Sequence, residues 1–166
     1  LFTGLRRREA TTLKWEDLDF KDNSLTIEDT KNHETHSLPL TDFLLEVLER
    51  RKNDSENPYV FQGSVPNKPI IEPKKQLDKV RKISGVYFNL HDLRRTFITI
   101  AEGLDINTYA LKKLLNHKDQ RDVTGSYIIT DMERLRGPMN KITDYILGQV
   151  MYESHCIHIS STKQIY

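Results

Sequence analysis

Apolar and polar residues alternate along two short runs between residues 25 and 40. Leu25 and Ile27 alternate with polar neighbours, and Leu38 and Leu40 do the same after a polar segment at 29–35. A two-residue period places the apolar side chains on one face of a strand, and a polar turn between two such runs is typical of a hairpin. The pattern therefore predicts a small antiparallel hairpin whose turn lies within residues 29–35.

Elsewhere the apolar residues recur at three- and four-residue spacing, which is typical of amphipathic helices. The predicted helices lie at residues 4–14, 42–52, 74–84, 91–103, 106–116, 121–128 and 131–149. Thr3 is the expected N-cap of the first helix. The last helix is expected to be interrupted at Gly137-Pro138, because proline lacks the amide hydrogen that a helix interior uses. Residues 15–20 and 53–73 are expected to be loops.

These elements predict an α+β fold that is mainly helical and contains one small antiparallel sheet. With 166 residues and 37% hydrophobic content, the chain is large enough to bury a core. We expect one domain at 1–149 and a tail at 150–166 that is disordered or docks onto a neighbouring molecule. The chain begins inside what looks like a continuing element, so a preceding partner domain is also expected.

The formal net charge of +1 argues against a uniformly basic surface, so any nucleic-acid surface must come from segregated charge. Such segregation is present, because seven Lys/Arg accompany only two Asp from Lys74 to Arg95. A single cysteine, Cys156, excludes an intramolecular disulfide and fits a reducing cytoplasm. No apolar run approaches the roughly 18 residues that a membrane helix needs, and no signal peptide is recognisable.

Two histidine-containing segments could suggest a metal site, but neither has a suitable ligand pattern. His33 and His36 have the wrong spacing for the HExxH zinc motif, and both are interpreted as surface residues. The segment 155–158 offers two histidines and a cysteine without a nearby fourth ligand. No metal and no cofactor are therefore predicted.

His91 and Arg94 form the most informative local pattern. Three residues apart on a predicted helix, they share one face and lie about 5–6 Å apart at Cβ, so both can reach one small anion. A guanidinium matches phosphate oxygens, and histidine can move a proton near neutral pH. The pair alone is weak support for a site, since this spacing arises often by chance.

Four further residues become informative when they are taken in order with this pair. They are Arg6, Lys31, His117 and Tyr127. Each has an ordinary interpretation: a solvated basic face, a soluble turn lysine, a helix-ending histidine and a packed tyrosine. Tyrosine has a reference pKa of about 10, so attack on a phosphodiester would need nearby cations.

The order Thr-Gly-Leu-Arg6, Lys31 in a hairpin, His91-x-x-Arg94, Leu-Leu-Asn-His117 and Thr-x-x-Tyr127 resembles the catalytic domain of tyrosine recombinases, the phage-integrase family. The stretch from Tyr127 to Met139 looks like the prophage and genomic-island branch. The resemblance covers roughly residues 1–148. Asn116 departs from it, because many members have glycine before the histidine, which leaves the local turn open.

The resemblance implies metal-independent DNA cleavage and rejoining through a 3′-phosphotyrosine. Tyr127 would be the nucleophile, and Arg6 and Arg94 would hold the non-bridging oxygens. Lys31 would be the general acid, His91 would assist proton transfer, and His117 would donate to the phosphate. Glu9 is expected to orient Arg6.

The partners that the resemblance implies are double-stranded DNA attachment sites and, on paired sites, three further copies of the chain in a homotetramer. DNA-bending accessory proteins are candidate partners, and no membrane partner is expected. The alternatives are a non-catalytic DNA-binding remnant of a decayed integrase and a structural helical protein without DNA affinity.

Overall fold

The structure is a computed structural model that describes residues 1–28, 30, 35–53, 56–117 and 132–161, with side chains to residue 150. Its helices are α1 (Arg7–Thr11), α2 (Asp42–Asn53), α3 (Lys74–Ser84), α4 (Leu90–Gly103), α5 (Thr108–Leu114) and α6 (Met132–Ser161). A short 3-10 helix at Trp15–Asp17 precedes the strands β1 (Leu18–Asp19), β2 (Ser24–Ile27) and β3 (His36–Pro39). The chain therefore has the mainly helical α+β architecture that its sequence predicts.

The three strands form one antiparallel sheet in the order β1-β2-β3. Leu25 of β2 lies opposite Leu18 of β1 on one side and Leu38 of β3 on the other. These leucines are buried, whereas Thr26 and Ser37 join their hydroxyls at 2.9 Å between the same two strands. The predicted hairpin is confirmed. The prediction that residues 15–20 form a loop is wrong, because the 3-10 helix and β1 lie there. The sequence pattern missed β1, since a strand of two residues is too short to show alternation.

The core lies between this sheet and the helices α4, α5 and α6. Phe97 and Ala101 of α4 and Met139 and Ile142 of α6 are fully buried. Their four- and three-residue spacings are those that place side chains on one helix face. The predicted helices at 42–52, 74–84 and 91–103 are confirmed within one residue at each end, whereas α5 is shorter than predicted.

The first helix begins later than the sequence predicts. Gly4 has a φ of 63°, which a helix does not use, and the N-cap position belongs to Arg6. The Arg6 amide donates to Glu9 Oε2 at 2.8 Å, whereas Thr3 Oγ1 accepts only from the Leu5 amide at 3.4 Å. The assignment of Thr3 as the cap was therefore wrong, since a glutamate in the first turn satisfies the helix start.

Helix α6 passes through Gly137 and Pro138 without the predicted interruption. A proline in a helix interior costs about 3 kcal/mol. Burial of an apolar stripe that spans this position, including Leu135 and Met139, offsets that cost. The helix also continues to Ser161, so it includes most of the predicted tail, and the domain boundary at 149 stays a prediction. The predicted helix at 121–128 lies outside the described residues.

His36 is buried, not a surface residue as the sequence suggested. Its side chain is only 3% exposed, because the strand alternation that buries Leu38 also buries the residue two positions earlier. The ring lies near the backbone of Lys113 and Leu114, but neither nitrogen has a partner within hydrogen-bonding geometry among the described residues. Burial lowers the pKa of His36, so the ring is kept neutral. His33 lies outside the described residues.

Candidate functional site

Three of the six predicted site residues meet beside the end of α5. Arg6 comes from the start of α1, Arg94 from the second turn of α4, and His117 from the turn that follows α5. Hydrogen bonds to the backbone of the 115–117 turn connect both arginines to this place. Two cations that are distant in the chain are thereby held against one short turn.

Arg94 is the buried member of the group, with 5% of its surface exposed. Its guanidinium donates to the carbonyl of Gly4 and to the carbonyl of Leu115, the latter at 2.8 Å. Burying a guanidinium is costly unless its donors are satisfied, and these carbonyls satisfy part of the fork. Burial, and then the charge of Arg6, lower the pKa of Arg94, yet a guanidinium stays protonated in proteins.

Arg6 is more open, with 23% of its side chain exposed. One guanidinium nitrogen donates to Glu9 Oε1 at 2.8 Å, and another donates to the carbonyl of Asn116 at 3.1 Å. Glu9 also accepts from the Arg6 backbone, so one buried carboxylate fixes both ends of this residue. The exposed part of the fork is available to an incoming anion.

His117 stands against Arg94, with Nε2 3.1 Å from the guanidinium Nη2. A guanidinium has donors only, so a hydrogen bond here requires that Nε2 carry a lone pair and that the proton lie on Nδ1. Burial, and then the charges of Arg94 and Arg6, lower the pKa of His117. All three influences favour a neutral imidazole in the absence of a bound anion.

The turn before His117 is built on Asn116, which has a φ of 48°. Asparagine is one of the few residues besides glycine that adopts this left-handed conformation readily. The His117 amide donates to the carbonyl of Lys112 at 3.0 Å and closes the end of α5. The question that Asn116 raised about the local turn is thus answered: asparagine forms the helix-ending turn that glycine usually forms.

Asn116 also connects this turn to the hairpin. Its side-chain amide donates to Thr30 Oγ1 at 3.0 Å, and Thr30 is buried. Thr30 immediately precedes Lys31 in the sequence. Lys31 itself and Tyr127 lie outside the described residues, so their roles stay predictions.

His91 lies in the first turn of α4, where it is exposed and lines a cleft beside α3. Among the described residues, no hydrogen bond joins its side chain to Arg6, Arg94 or His117. The His91 and Asp92 amides donate to the Asn89 side chain, which caps the helix. The structure thus places His91 one turn from Arg94 and does not bring it into the arginine cluster.

Sequence reasoning missed two contributors to this site, the Asn116–Thr30 contact and the Gly4 carbonyl. A threonine directly before the hairpin lysine and an asparagine directly before the helix-ending histidine were the available signals. In the described residues, no group of three or more His, Cys, Asp or Glu side chains is arranged to hold a metal ion. No helix in the described part is long and apolar enough to cross a bilayer.

Known proteins match this chain over most of its length. The sequence profile of the phage integrase family matches residues 1–134. The chain is 32% identical over 155 residues to prophage integrase IntF of Escherichia coli K12, covering 90% of this chain and 33% of that protein. It is 30% identical over 123 residues to tyrosine recombinase XerA of Pyrococcus furiosus, covering 69% and 42%. The chain thus spans about a third to under a half of these relatives.

Solved structures of other proteins share the fold. The integrase of mycobacterium phage Brujita has a TM-score of 0.65 at 21% identity, over 85% of this chain and 48% of that one. The XerH site-specific recombinase bound to its difH substrate in a pre-cleavage complex has a TM-score of 0.58 at 22% identity. That match covers 71% of this chain and 37% of XerH.

Proposed function

Because this chain belongs to the phage integrase family, we propose that it is the catalytic part of a site-specific tyrosine recombinase that integrates or excises a mobile element. The observation that carries the proposal is the convergence of Arg6 and Arg94 on the turn that bears His117. Two fixed guanidinium groups and an imidazole can donate to the non-bridging oxygens of a phosphate, where negative charge must be stabilised in the transition state.

The proposed reaction uses Tyr127 as the nucleophile. Its phenolic oxygen attacks a scissile phosphate, the bond from phosphorus to the 5′-oxygen breaks, and a 3′-phosphotyrosine forms. Lys31 gives a proton to the departing 5′-oxygen, and His91 assists proton transfer. The 5′-hydroxyl of another strand then reverses these steps and joins the exchanged strands.

The arginines and His117 stabilise the charge that grows on the non-bridging oxygens. Arg6 binds the phosphate with the exposed part of its guanidinium. Arg94 contributes its positive charge from its buried position. His117 accepts from Arg94 without substrate, so donation to phosphate requires that its Nε2 gain a proton or that its ring turn. Preorganised donors of this kind are each worth roughly 3–4 kcal/mol in other enzymes.

The proposed partners are double-stranded attachment sites and further copies of the protein. Paired DNA sites would assemble a homotetramer, and DNA-bending accessory proteins are candidates for its regulation. In this proposal the reaction takes place in the cytoplasm and needs no metal or cofactor. The sheet, the helices and the arginine cluster would form one side of a clamp around the duplex.

The decisive experiment traps the covalent intermediate. A nicked suicide duplex that carries the element's attachment site is incubated with the protein in EDTA, and adducts are resolved by denaturing electrophoresis. The wild-type chain is expected to form the adduct, whereas Tyr127→Phe is expected to form none. Tyr109→Phe is the matched control, because it removes the phenolic hydroxyl of a different tyrosine, in α5. This variant should form the adduct as the wild-type chain does.

Two outcomes would contradict the proposal. An adduct with Tyr127→Phe would show that another residue attacks, and cleavage only with added magnesium would exclude this mechanism. Salt-sensitive DNA binding without any cleavage would favour the alternative function, a DNA-binding remnant of a decayed integrase.

A further inference from the structure

A cleft of about 470 Å³ opens beside the arginine cluster, between α1, α3 and the start of α4. The polar residues that line it are Arg7, Glu72, Lys74, Asp78, Arg81, Asn89 and His91. Arg7 follows Arg6 in the chain, and His91 precedes Arg94 by one helical turn. The cleft is therefore the immediate neighbour of the proposed catalytic phosphate site.

A carboxylate occupies the cationic part of this cleft. Glu72 Oε1 accepts from Arg7 Nη1 at 2.8 Å, and Glu72 Oε2 lies 3.2 Å from Lys74 Nζ. The two cations, first Lys74 and then Arg7, lower the pKa of Glu72 through these contacts, so the carboxylate is charged. One anion is thus shared between two cations from different parts of the chain.

The other charged groups of the cleft have partners of their own. Arg81 donates to Asp78 at 2.9 Å and to the Phe88 carbonyl, and its guanidinium lies 4.3 Å from the centre of the Tyr87 ring. The first amides of α4 are taken by Asn89. Arg7 and Lys74 are consequently the two cations that an external anion could take over, and both pairs with Glu72 are exposed enough to exchange.

A carboxylate and a phosphate ester present similar oxygen pairs to a guanidinium. One DNA strand carries a phosphate at every rise of roughly 3.4 Å along the helix axis. A strand bound at Arg6 and Arg94 therefore brings further phosphates close to the cleft that contains Arg7 and Lys74. Exposed ion pairs are worth only about 0–1 kcal/mol each, so exchange of one anion for another costs little.

We propose that Arg7 and Lys74 form a second backbone-phosphate site, and that Glu72 occupies this site until a DNA phosphate replaces it. The inference rests on the proposed function, since it assumes that DNA is the substrate. Glu72 then acts as a built-in competitor that weakens DNA binding and reduces its dependence on salt. An exchange of anions releases fewer bound counterions than the filling of an empty cationic site.

The test measures binding of a fluorescein-labelled duplex of random sequence over a range of salt concentrations. Glu72→Gln removes the competing charge, and we expect it to bind roughly two- to tenfold more tightly at low salt. The slope of log K against log salt should become steeper, but by less than the full value of about 0.9 for one phosphate contact, because that contact forms in both proteins and only the displacement of the Glu72 carboxylate is removed. A carboxylate with a merely structural role would not change that slope in this direction.

Glu46→Gln is the matched control, because Glu46 is an exposed carboxylate paired with Arg50 at 3.3 Å on α2. It changes the net charge equally and should leave the slope unchanged. Arg7→Gln should weaken binding, and combining it with Glu72→Gln should remove most of the gain. Thermal unfolding of each variant checks that the fold is intact.

The inference is overturned if Glu72→Gln binds no more tightly than Glu46→Gln, or if its gain persists in the Arg7→Gln background. Weaker binding by Glu72→Gln would also overturn it, because Glu72 would then position the cations for DNA. If the wild-type chain binds the duplex, any of these results contradicts the inference alone and leaves the proposed function unaffected. An absence of DNA binding by every variant, wild type included, would instead refute the proposed function.

Discussion

At the scale of single residues, Arg94 combines a structural and a chemical task. Its guanidinium satisfies the carbonyls of Gly4 and Leu115 in a buried setting, and the same group faces His117. A residue in this position cannot be optimised for phosphate alone, because removing it leaves buried acceptors without donors.

Arg94→Lys is expected to lower the free energy of unfolding by about 2–4 kcal/mol, since one ammonium cannot reproduce the planar fork. Urea unfolding followed by circular dichroism measures this change. Arg95→Lys is the matched control, because the Arg95 side chain is 68% exposed and pairs with Asp92 on the surface. Equal stability of the two variants would show that the Arg94 contacts contribute little to the fold.

His36 makes the stability of the protein depend on pH. Burial lowers its pKa in the folded state, where Glu9 and Arg94 are the charged groups that act on it. The unfolded chain therefore binds more protons as the pH falls below the ordinary value of 6.5, and the free energy of unfolding decreases in that direction. His117 has a pKa shifted the same way and adds to the effect.

His36→Leu is expected to weaken the pH dependence of the free energy of unfolding. At neutral pH it should stabilise the protein by about 1 kcal/mol, because it replaces a buried ring that lacks hydrogen-bond partners among the described residues with an apolar side chain. Urea unfolding at pH values above and below 6.5 measures both quantities. His91→Gln serves as the control, since it removes an exposed histidine. A pH dependence that is unchanged in His36→Leu would contradict the assignment.

The sequence was sufficient to nominate Arg6, Arg94 and His117, because residue type and order along the chain carry that signal. The burial of His36 could be predicted only by extending the alternation of Leu38 and Leu40 two residues back, since its residue type and the adjacent polar turn suggested a surface position. The contact of Asn116 with Thr30 could not be predicted from residue types alone, because it depends on how two distant turns pack.

At the scale of elements, the approach of the Gly4 segment to α4 sets the position of the arginine cluster. A Cβ on Gly4 would lie 2.8 Å from the Phe97 ring and 3.2 Å from Leu115, and the backbone there has a positive φ. The segment before α1 can pack this closely only because residue 4 has no side chain.

Gly4→Ala is therefore expected to destabilise the protein by about 2–4 kcal/mol, from backbone strain and from overpacking against Phe97. Gly85→Ala provides a matched control, because Gly85 has a φ of 70° and open space around its Cβ position. That variant should lose only about 1–2 kcal/mol, the cost of the left-handed backbone. Thermal unfolding distinguishes the two, and equal losses would mean that packing at Gly4 is unimportant.

Element prediction succeeded where a periodic apolar pattern was long enough to read, as in α3 and α4. It failed at β1, which has two residues, and at Pro138, where a local rule was overridden by burial of the helix face. Local propensity sets the cost of such a break, and tertiary packing decides whether the chain accepts it.

At the scale of the whole molecule, the nearly neutral net charge conceals a separation of charge. Helix α3 has no buried residue and carries exposed lysines beside the cleft, while the acidic segment from Glu16 to Asp29 contributes the opposite sign. Such a surface favours binding to a polyanion on one side and limits non-specific attraction elsewhere.

We expect the chain to be a monomer of 19.5 kDa in solution and to form a tetramer only on paired DNA sites. The reason is that the proposed assembly is organised by the DNA, so the protein alone lacks the geometry that brings four copies together. Light scattering coupled to size-exclusion chromatography measures the mass with and without DNA. A stable tetramer in the absence of DNA would contradict this expectation.

The hydrogen bond from Asn116 to Thr30 has an evolutionary consequence. Glycine at position 116 would keep the backbone turn but lose the tie to the hairpin, and a larger side chain would strain the turn. The asparagine therefore couples the two turns, so a substitution tolerated beside Thr30 must also be compatible with the turn that bears His117. Replacing either turn alone with that of a relative should destabilise both turns, whereas replacing the two together should preserve the fold.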